Sequence, residues 1–283
     1  MRKIRLILLS FLVVSILSLQ AIALEGFQTR LAAAPSILSK AWYSSFLVFL
    51  DEPLTTSIGT AVLFKAIIGQ DETQLYFITN KHVLHGNCQS IGVCSILRLY
   101  RDAQINVRNS QMSFVSGTRE LTRVEVLKQS ANPDLALLKV SLKNKLAVEF
   151  HPIQMPKDCK LKVGEPLFSI GFPDASMRTY KDSVAIEYPN QIVKRWSQGL
   201  YVGGFERQTK GLGESRFIGV SSDSLSGSSG GPILNLQGEL VGIVKASAGN
   251  KENEYRYLGD ERPGNLDWHS LAIPCAEINE FIR

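Results

Sequence analysis

Ser226-Gly227-Ser228-Ser229-Gly230-Gly231-Pro232 sets hydroxyls among glycines directly before two apolar runs, Ile233-Leu234 and Leu240 to Val244. Glycine lets a backbone turn tightly and aim its N–H groups inward, because no Cβ blocks a positive φ or a close approach. A serine at the apex of such a turn is a nucleophile beside a ready cradle for a developing oxyanion, which is what acyl transfer requires. Taken alone, the stretch reads equally well as a Ser/Gly-rich hairpin loop. The choice turns on whether a base and an orienting carboxylate lie upstream.

Thr79-Asn80-Lys81-His82-Val83-Leu84 follows an apolar run and puts His82 where a strand ends, a rigid platform from which a base can reach a nucleophile. His85 lies beyond the strand terminus, and His151 and His269 have no comparable setting. Asn132-Pro133-Asp134-Leu135-Ala136-Leu137-Leu138 places one carboxylate at the mouth of an apolar strand, a costly position unless a cation or a donor stands nearby. An imidazole N–H is such a donor, and the carboxylate would hold that ring in the tautomer that accepts a serine proton. A partly buried histidine and a solvated turn aspartate are the ordinary readings of each segment by itself. Together, in the order His82, Asp134, Ser229, they supply a base, an orienting acid and a nucleophile.

The elements that must position these groups read as strands. Ser45–Leu50, Gly59–Phe64, Gln74–Thr79, Val124–Leu127 and Leu135–Val140 are short, apolar or alternating, and separated by turn residues. After a polar connector, Ser141 to Glu149, a second set follows: Glu165–Gly171, Gln191–Val202, Phe217–Val220 and the two runs flanking Gln237-Gly238. Helical spacing fits Pro274 to Ile282, with Ile278, Phe281 and Ile282 on one face. Many short strands with few helices predict an all-β barrel or sandwich, divided near residues 141–155 into two similar units.

The first residues are read apart from the fold. A basic start (Arg2, Lys3, Arg5), an apolar stretch from Leu6 to Leu19 and Ala21-Ile22-Ala23 predict a secretory leader over 1–23, cleaved after Ala23. An uncleaved anchor is the alternative, but the run is shorter than the ~20 residues a spanning helix needs. No membrane association is expected after cleavage. The formal charge of +5 falls to +2 once those three basic residues are removed, so nothing asks for nucleic acid. Cys88, Cys94, Cys159 and Cys275 form an even set in an exported chain, which points to disulfides. Cys88 and Cys94 enclose a short loop and are expected to pair, leaving Cys159 with Cys275 as one of three possible connectivities. The spacings form no two close ligand pairs, so no metal site is expected.

The three chemical segments resemble those of the trypsin/chymotrypsin-fold serine proteases, closest in style to the bacterial HtrA-like members. The matching pieces are Gly59-Thr60-Ala61-Val62, Thr79 to Val83, Asp134 to Val140, Val163-Gly164-Glu165-Pro166, Ile170-Gly171-Phe172-Pro173 and Gly227 to Pro232. Ala272-Ile273-Pro274 is similar to the close of the HtrA protease domain, and the likeness runs from about Ser44 to the C-terminus. It implies two packed six-stranded β-barrels with a C-terminal helix. The corresponding organisation is a leader (1–23), an N-terminal arm (24–43), a first barrel (44–148) and a second barrel (149–283).

The resemblance also implies an endopeptidase acting on proteins or peptides without a cofactor, with the N–H groups of Gly227 and Ser229 as the oxyanion hole. It implies a periplasmic or secreted, bacterial setting, and leaves the oligomeric state open. Asp223, six residues before Ser229, stands where trypsins hold the acid that selects Arg or Lys. Lys245-Ala246-Ser247 matches the strand that holds the substrate backbone, and Lys245 would neutralise Asp223 or favour acidic substrates. The chain departs from the pattern at Ser228, where zymogen-activated trypsins carry an aspartate, and at Leu225, where they carry a bracing cysteine. It ends soon after the C-terminal helix, so no PDZ-driven assembly is expected. The reading from a different class is a catalytically idle protease-fold binding module or adhesin. The insert Gly249 to His269 is compatible with a gate over the cleft or a partner surface.

Overall fold

Alternation decides which face each strand buries. In Glu72–Thr79, Thr73, Leu75 and Phe77 point inward, and in Asp134–Lys143 Ala136, Leu138 and Val140 do the same. A one-residue slip would turn these rows to solvent, so the register is set by the core. The computed structural model describes residues 37–51, 56–84, 88, 90–101, 104–108, 111–114, 120–143, 150–173, 176–180, 183–187, 191–209, 211, 213–222, 227–247, 256–258 and 270–283. The expected leader, His85, Asp223, His269 and all of the 249–269 insert except 256–258 lie outside these residues.

Helix α1 covers residues 37–44. The first half continues with β1 (Ser45–Asp51), β2 (Thr56–Ile68), β3 (Glu72–Thr79), a 3-10 turn at Lys81–Val83, β4 (Gly92–Cys94) and β5 (Leu97–Tyr100). It then gives β6 (Gln104–Arg108), β7 (Gln111–Phe114), β8 (Glu120–Leu121), β9 (Val124–Ala131) and β10 (Asp134–Lys143). The second half holds β11 (Pro166–Gly171), β12 (Ser176–Tyr180), β13 (Ser183–Glu187), β14 (Gln191–Val193), β15 (Arg195–Thr209) and β16 (Gly213–Val220). β17 (Pro232–Leu234), β18 (Leu240–Ser247), β19 (Arg256–Tyr257), β20 (Ser270–Pro274) and helix α2 (Cys275–Ile282) complete it.

The second sheet runs β11-β17-β18-β20-β16-β15, and a further pairing of β11 with β15 closes these six strands into a barrel, with β19 added at the edge. The long β15 serves both neighbours: residues 195–200 pair with β11 and residues 201–209 with β16. Leu167, Ile218, Val220, Ile233, Val241, Val244 and Ala272 pack together in one apolar cluster.

The first sheet has eight strands in the order β4-β9-β10-β3-β2-β1-β5-β8, two more than expected. The additions are β4 and β8, three and two residues long, too short to carry a periodic signal. Its two ends feed one core: Leu97 and Leu99 from β5 share a cluster with Val124 and Val126 from β9, around Phe46 and Phe77. A sheet whose remote strands meet on a common core must curl, and register shifts at Leu63/Lys65 and Leu137/Leu138 supply bends. The chain is thus mostly β-strand, in the two-barrel manner of chymotrypsin-like folds.

The expected single strand Gln191–Val202 is divided at Lys194. Its first part, β14, pairs with β6 of the first half, while β15 joins the second barrel. Between them the buried Lys194 donates from Nζ to the Trp42 carbonyl at 2.6 Å, so the chain changes sheets there. The helix expected near the C-terminus forms as α2, with Ile278 and Phe281 buried and Ile282 half-buried rather than inside. Lys128 on β9 caps its last turn, donating to the Phe281 carbonyl at 2.6 Å. Both cysteine pairs stand at disulfide distance, with Cα separations of 5.3 Å for Cys88–Cys94 and 5.8 Å for Cys159–Cys275. Among the described residues no helix is long and apolar enough to cross a membrane.

Candidate active site

β3 and β10 are neighbours, with Thr79 opposite Ala136, so the residues just past one strand lie beside those that open the other. That register brings His82, on the 3-10 turn, to Asp134. The carboxylate grips the histidine twice: Oδ2 lies 2.6 Å from Nδ1, and Oδ1 accepts the His82 backbone N–H at 3.0 Å. An ionised carboxylate only accepts, so Nδ1 carries a proton, and in the neutral ring the lone pair is then on Nε2. The Asp134 side chain is 12% exposed and that of His82 is 46% exposed, which leaves the ring's far edge open to a reactant. Burial pushes the Asp134 carboxyl up, but the His82 hydrogen bonds and the charges of His82 and Lys245 outweigh it and hold it below its ordinary value.

Three contacts fix this pair. Asn80 Nδ2 donates to the Asp134 carbonyl at 3.0 Å. Asn132 Nδ2 donates to the Glu214 carbonyl at 3.1 Å, and the Ser215 hydroxyl donates to Asn132 Oδ1, tying the Asp134 loop to β16 of the other barrel. Gly59 on β2 lies directly under the turn: a Cβ there would stand 2.4 Å from a Val83 methyl.

Ser229 sits on the Gly227–Gly231 turn before β17. Gly231 N–H donates to the Ser228 carbonyl at 2.9 Å, and Gly230 N–H to the Val244 carbonyl at 2.8 Å. The Ser229 carbonyl accepts the Thr60 N–H at 2.7 Å, which docks the turn onto the first barrel. Gly230 is obligatory here, because its φ is +86° and a Cβ would fall 1.9 Å from the Thr60 carbonyl oxygen and 2.3 Å from Thr79 Oγ1. The Ser229 hydroxyl donates to the Lys245 carbonyl at 3.0 Å. The structure therefore pairs His82 with Asp134 and Ser229 with Lys245. Among the described residues no hydrogen bond joins the two pairs.

Of the other expected site residues, Gly227 is buried in the turn with φ +84°, and Lys245, Ala246 and Ser247 lie on β18. The Lys245 ammonium stands 4.9 Å from the centre of the Phe217 ring. Burial lowers the Lys245 pKa, and the positive Arg207 adds to this against the opposing pull of Asp134. A cavity of about 130 Å³, lined by Ser169, Ile170, Gly171, Trp196 and Ser228 among others, opens on the Ser228 side of the turn. Sequence reasoning missed Thr60, Thr79 and Asn132 as holders of the site. Thr60 and Thr79 are wholly buried, and a threonine at an inward position of an apolar strand was the available signal.

Comparison with known proteins bears on these residues as a set. Residues 59–243 match the model of the trypsin-like peptidase domain. A serine protease HtrA-like protein of Staphylococcus haemolyticus is 24% identical over 190 residues, covering 66% of this chain and 24% of that protein. Serine protease HTRA1A of Danio rerio is 32% identical over 153 residues, 53% of this chain and 24% of the relative. Protease Do-like 5, chloroplastic, of Arabidopsis thaliana is 26% identical over 174 residues, 61% of this chain and 45% of the relative. The chain thus spans less than half the length of these curated relatives. A solved HtrA-type protease, AlgW with a tripeptide, superposes with a TM-score of 0.50 at 17% identity, covering 87% of this chain and 61% of that one, which speaks to the fold. With His82, Asp134 and Ser229 all inside the matched span, the chain belongs to the trypsin-like peptidase domain family.

Proposed function

We propose that the protein is an exported serine endopeptidase. The observation that carries this reading is the double capture of His82 by Asp134, which occupies Nδ1 and leaves Nε2 to serve as the base. Ser229 Oγ attacks a peptide carbonyl carbon while its proton passes to His82 Nε2. The carbonyl becomes an oxyanion received by the N–H groups of Gly227 and Ser229. Collapse breaks the C–N bond, the proton passes from His82 to the leaving amine, and an acyl-enzyme remains. Water then repeats the sequence: His82 takes its proton, the hydroxide equivalent attacks the ester, and Ser229 is regenerated. Asp134 keeps the ring oriented and stabilises the imidazolium throughout.

The substrates are proteins or peptides. Asp223, at the spacing from Ser229 where trypsins hold their selecting acid, would favour Arg or Lys before the scissile bond through a charge-assisted pair. The leader-like start of the chain supports a periplasmic or secreted location. One observation favours a second reading, an idle binding module or adhesin: the Ser229 hydroxyl is turned to the Lys245 carbonyl rather than to His82. Hydrolytic sites are often loosely aligned without substrate, so the endopeptidase reading stands first.

The test is digestion of a mixed peptide library by the mature protein and by Ser229→Ala. The endopeptidase reading expects cleavage that the substitution abolishes, and cleavage after Arg or Lys supports the role of Asp223. A folded wild type that cuts nothing, while binding peptides as well as Ser229→Ala does, puts the binding module in its place.

A further inference from the structure

Three successive carbonyls of the Ser229 turn are each held. The Gly227 carbonyl accepts the Thr60 hydroxyl at 2.9 Å, the Ser228 carbonyl accepts Gly231 N–H at 2.9 Å, and the Ser229 carbonyl accepts Thr60 N–H at 2.7 Å. Two of the three holds come from one residue of the other barrel. In a planar trans peptide the N–H lies opposite the C=O, so fixing a carbonyl fixes the direction of the next residue's N–H. The Ser228 carbonyl faces Gly231, and the Ser229 N–H is therefore turned away from Gly231.

Thr60 is itself held on every side. It is fully buried, its carbonyl accepts the Thr79 hydroxyl at 2.6 Å, and its hydroxyl accepts the Phe172 N–H at 3.2 Å while donating to Gly227. Thr79 ends β3, three residues before His82, and Phe172 follows β11 of the second barrel. One side chain and one peptide thus join the histidine's strand, the serine's turn and the edge of the second barrel. No solvent competes for these bonds, which makes them directional restraints.

Building on the serine peptidase reading, we propose that Thr60 is the positioning residue of the site, holding from the first barrel, before any substrate arrives, the Gly227–Ser228 and Ser229–Gly230 peptides on either side of the one that carries the Ser229 N–H. Thr60 touches no reacting atom. Its action is through the turn, and the loss should fall on transition-state stabilisation rather than on substrate binding.

The experiment compares wild type, Thr60→Val and Thr60→Ser in peptide hydrolysis. It also compares affinity for a peptide boronate, which forms a tetrahedral serine adduct, with affinity for a product-like peptide. Thr60→Val should lower kcat about 10²-fold with KM changed less than about 3-fold, the scale of a displaced catalytic group or a lost oxyanion donor. Boronate affinity should fall in parallel while product affinity holds, and Thr60→Ser should restore both. If Thr60→Val hydrolyses like wild type, or Thr60→Ser falls as far as Thr60→Val, the hydroxyl does not position the turn and the proposal is overturned. Should Thr60→Val not fold, Thr60→Ala against Thr60→Ser gives the same contrast, equal rates overturning the proposal. A wild type that neither cleaves peptides nor binds boronate overturns the peptidase reading and this proposal together. Wild-type cleavage abolished by Ser229→Ala, with Thr60→Val unaffected, overturns only the proposal.

Discussion

Asp134 is held to His82 through a side-chain atom and a backbone atom at once, so its charge and its geometry are separable by substitution. Asp134→Asn keeps the shape but offers an amide that stabilises no imidazolium and permits the wrong ring tautomer. Hydrolysis should fall by about 10⁴-fold, measured as kcat on a peptide substrate. The same carboxyl links acid to stability. Its folded pKa lies below the unfolded value of about 3.9, so it contributes stability above that pH, and the contribution is lost as pH falls through the folded pKa. Thermal melts at about pH 6 and about pH 3 should therefore show the gap between wild type and Asp134→Asn narrowing in acid. A gap that widens would reverse the sign of the interaction. At this scale the pairing of His82 with Asp134 was legible, because each is an ionisable group placed at the end of an apolar strand. Thr60 escaped notice because its one signal, an inward threonine in an apolar strand, is also ordinary β propensity, and its role comes from partners distant in sequence, Gly227 being 167 positions away.

Elements position these residues by close approach as much as by hydrogen bonds. Gly59 admits Val83 and Gly230 admits the Thr60 carbonyl, and neither site has room for a methyl group. Gly230→Ala combines a positive φ with a backbone collision and should cost at least about 2 kcal/mol in denaturant unfolding. Gly59→Ala meets a valine side chain instead, which can shift. It should remain folded but displace the 3-10 turn and lower kcat about 10²-fold. An unchanged kcat would show that the turn tolerates the shift. β3 and β10 were visible in the sequence because apolar residues persist over enough positions to register, whereas β2 was read short, as Gly59–Phe64, and β15 was merged with β14 and read only to Val202. β4, β8, β12 and β13 were not visible, since two to five residues of mixed character carry no period. The break at Lys194 was hidden for another reason: a buried lysine reads in sequence as an exposed one, and its partners, the Trp42 carbonyl among them, are distant in sequence.

On the scale of the whole molecule, the two barrels meet through restraints spread along the chain. Thr60 joins the Ser229 turn, Asn132 joins the start of β16, and Lys128 joins α2. Cys159 and Cys275, 116 residues apart, stand where a bond would tie α2 to the segment leading into the second barrel. Cys159→Ser should reduce stability by about 3 kcal/mol in a non-reducing denaturant titration, and little or nothing under reductant. Peptide mapping without reduction should recover the 159–275 and 88–94 pairs. β10 and β11, on either side of the polar connector, belong to different sheets. The sheet that joins β14 to β6 and β7 was not readable in the sequence, because pairing across the halves leaves no local pattern.

In the proposed reading Ser229 is a nucleophile activated by His82. Covalent labelling with a fluorophosphonate probe tests it most directly, because phosphonylation requires an activated hydroxyl but no knowledge of the substrate. Wild type should be modified once, at Ser229 by peptide mass. Ser229→Ala should not be modified, and Asp134→Asn only slowly. A folded wild type that resists the probe, or one modified equally in Ser229→Ala, would contradict the account.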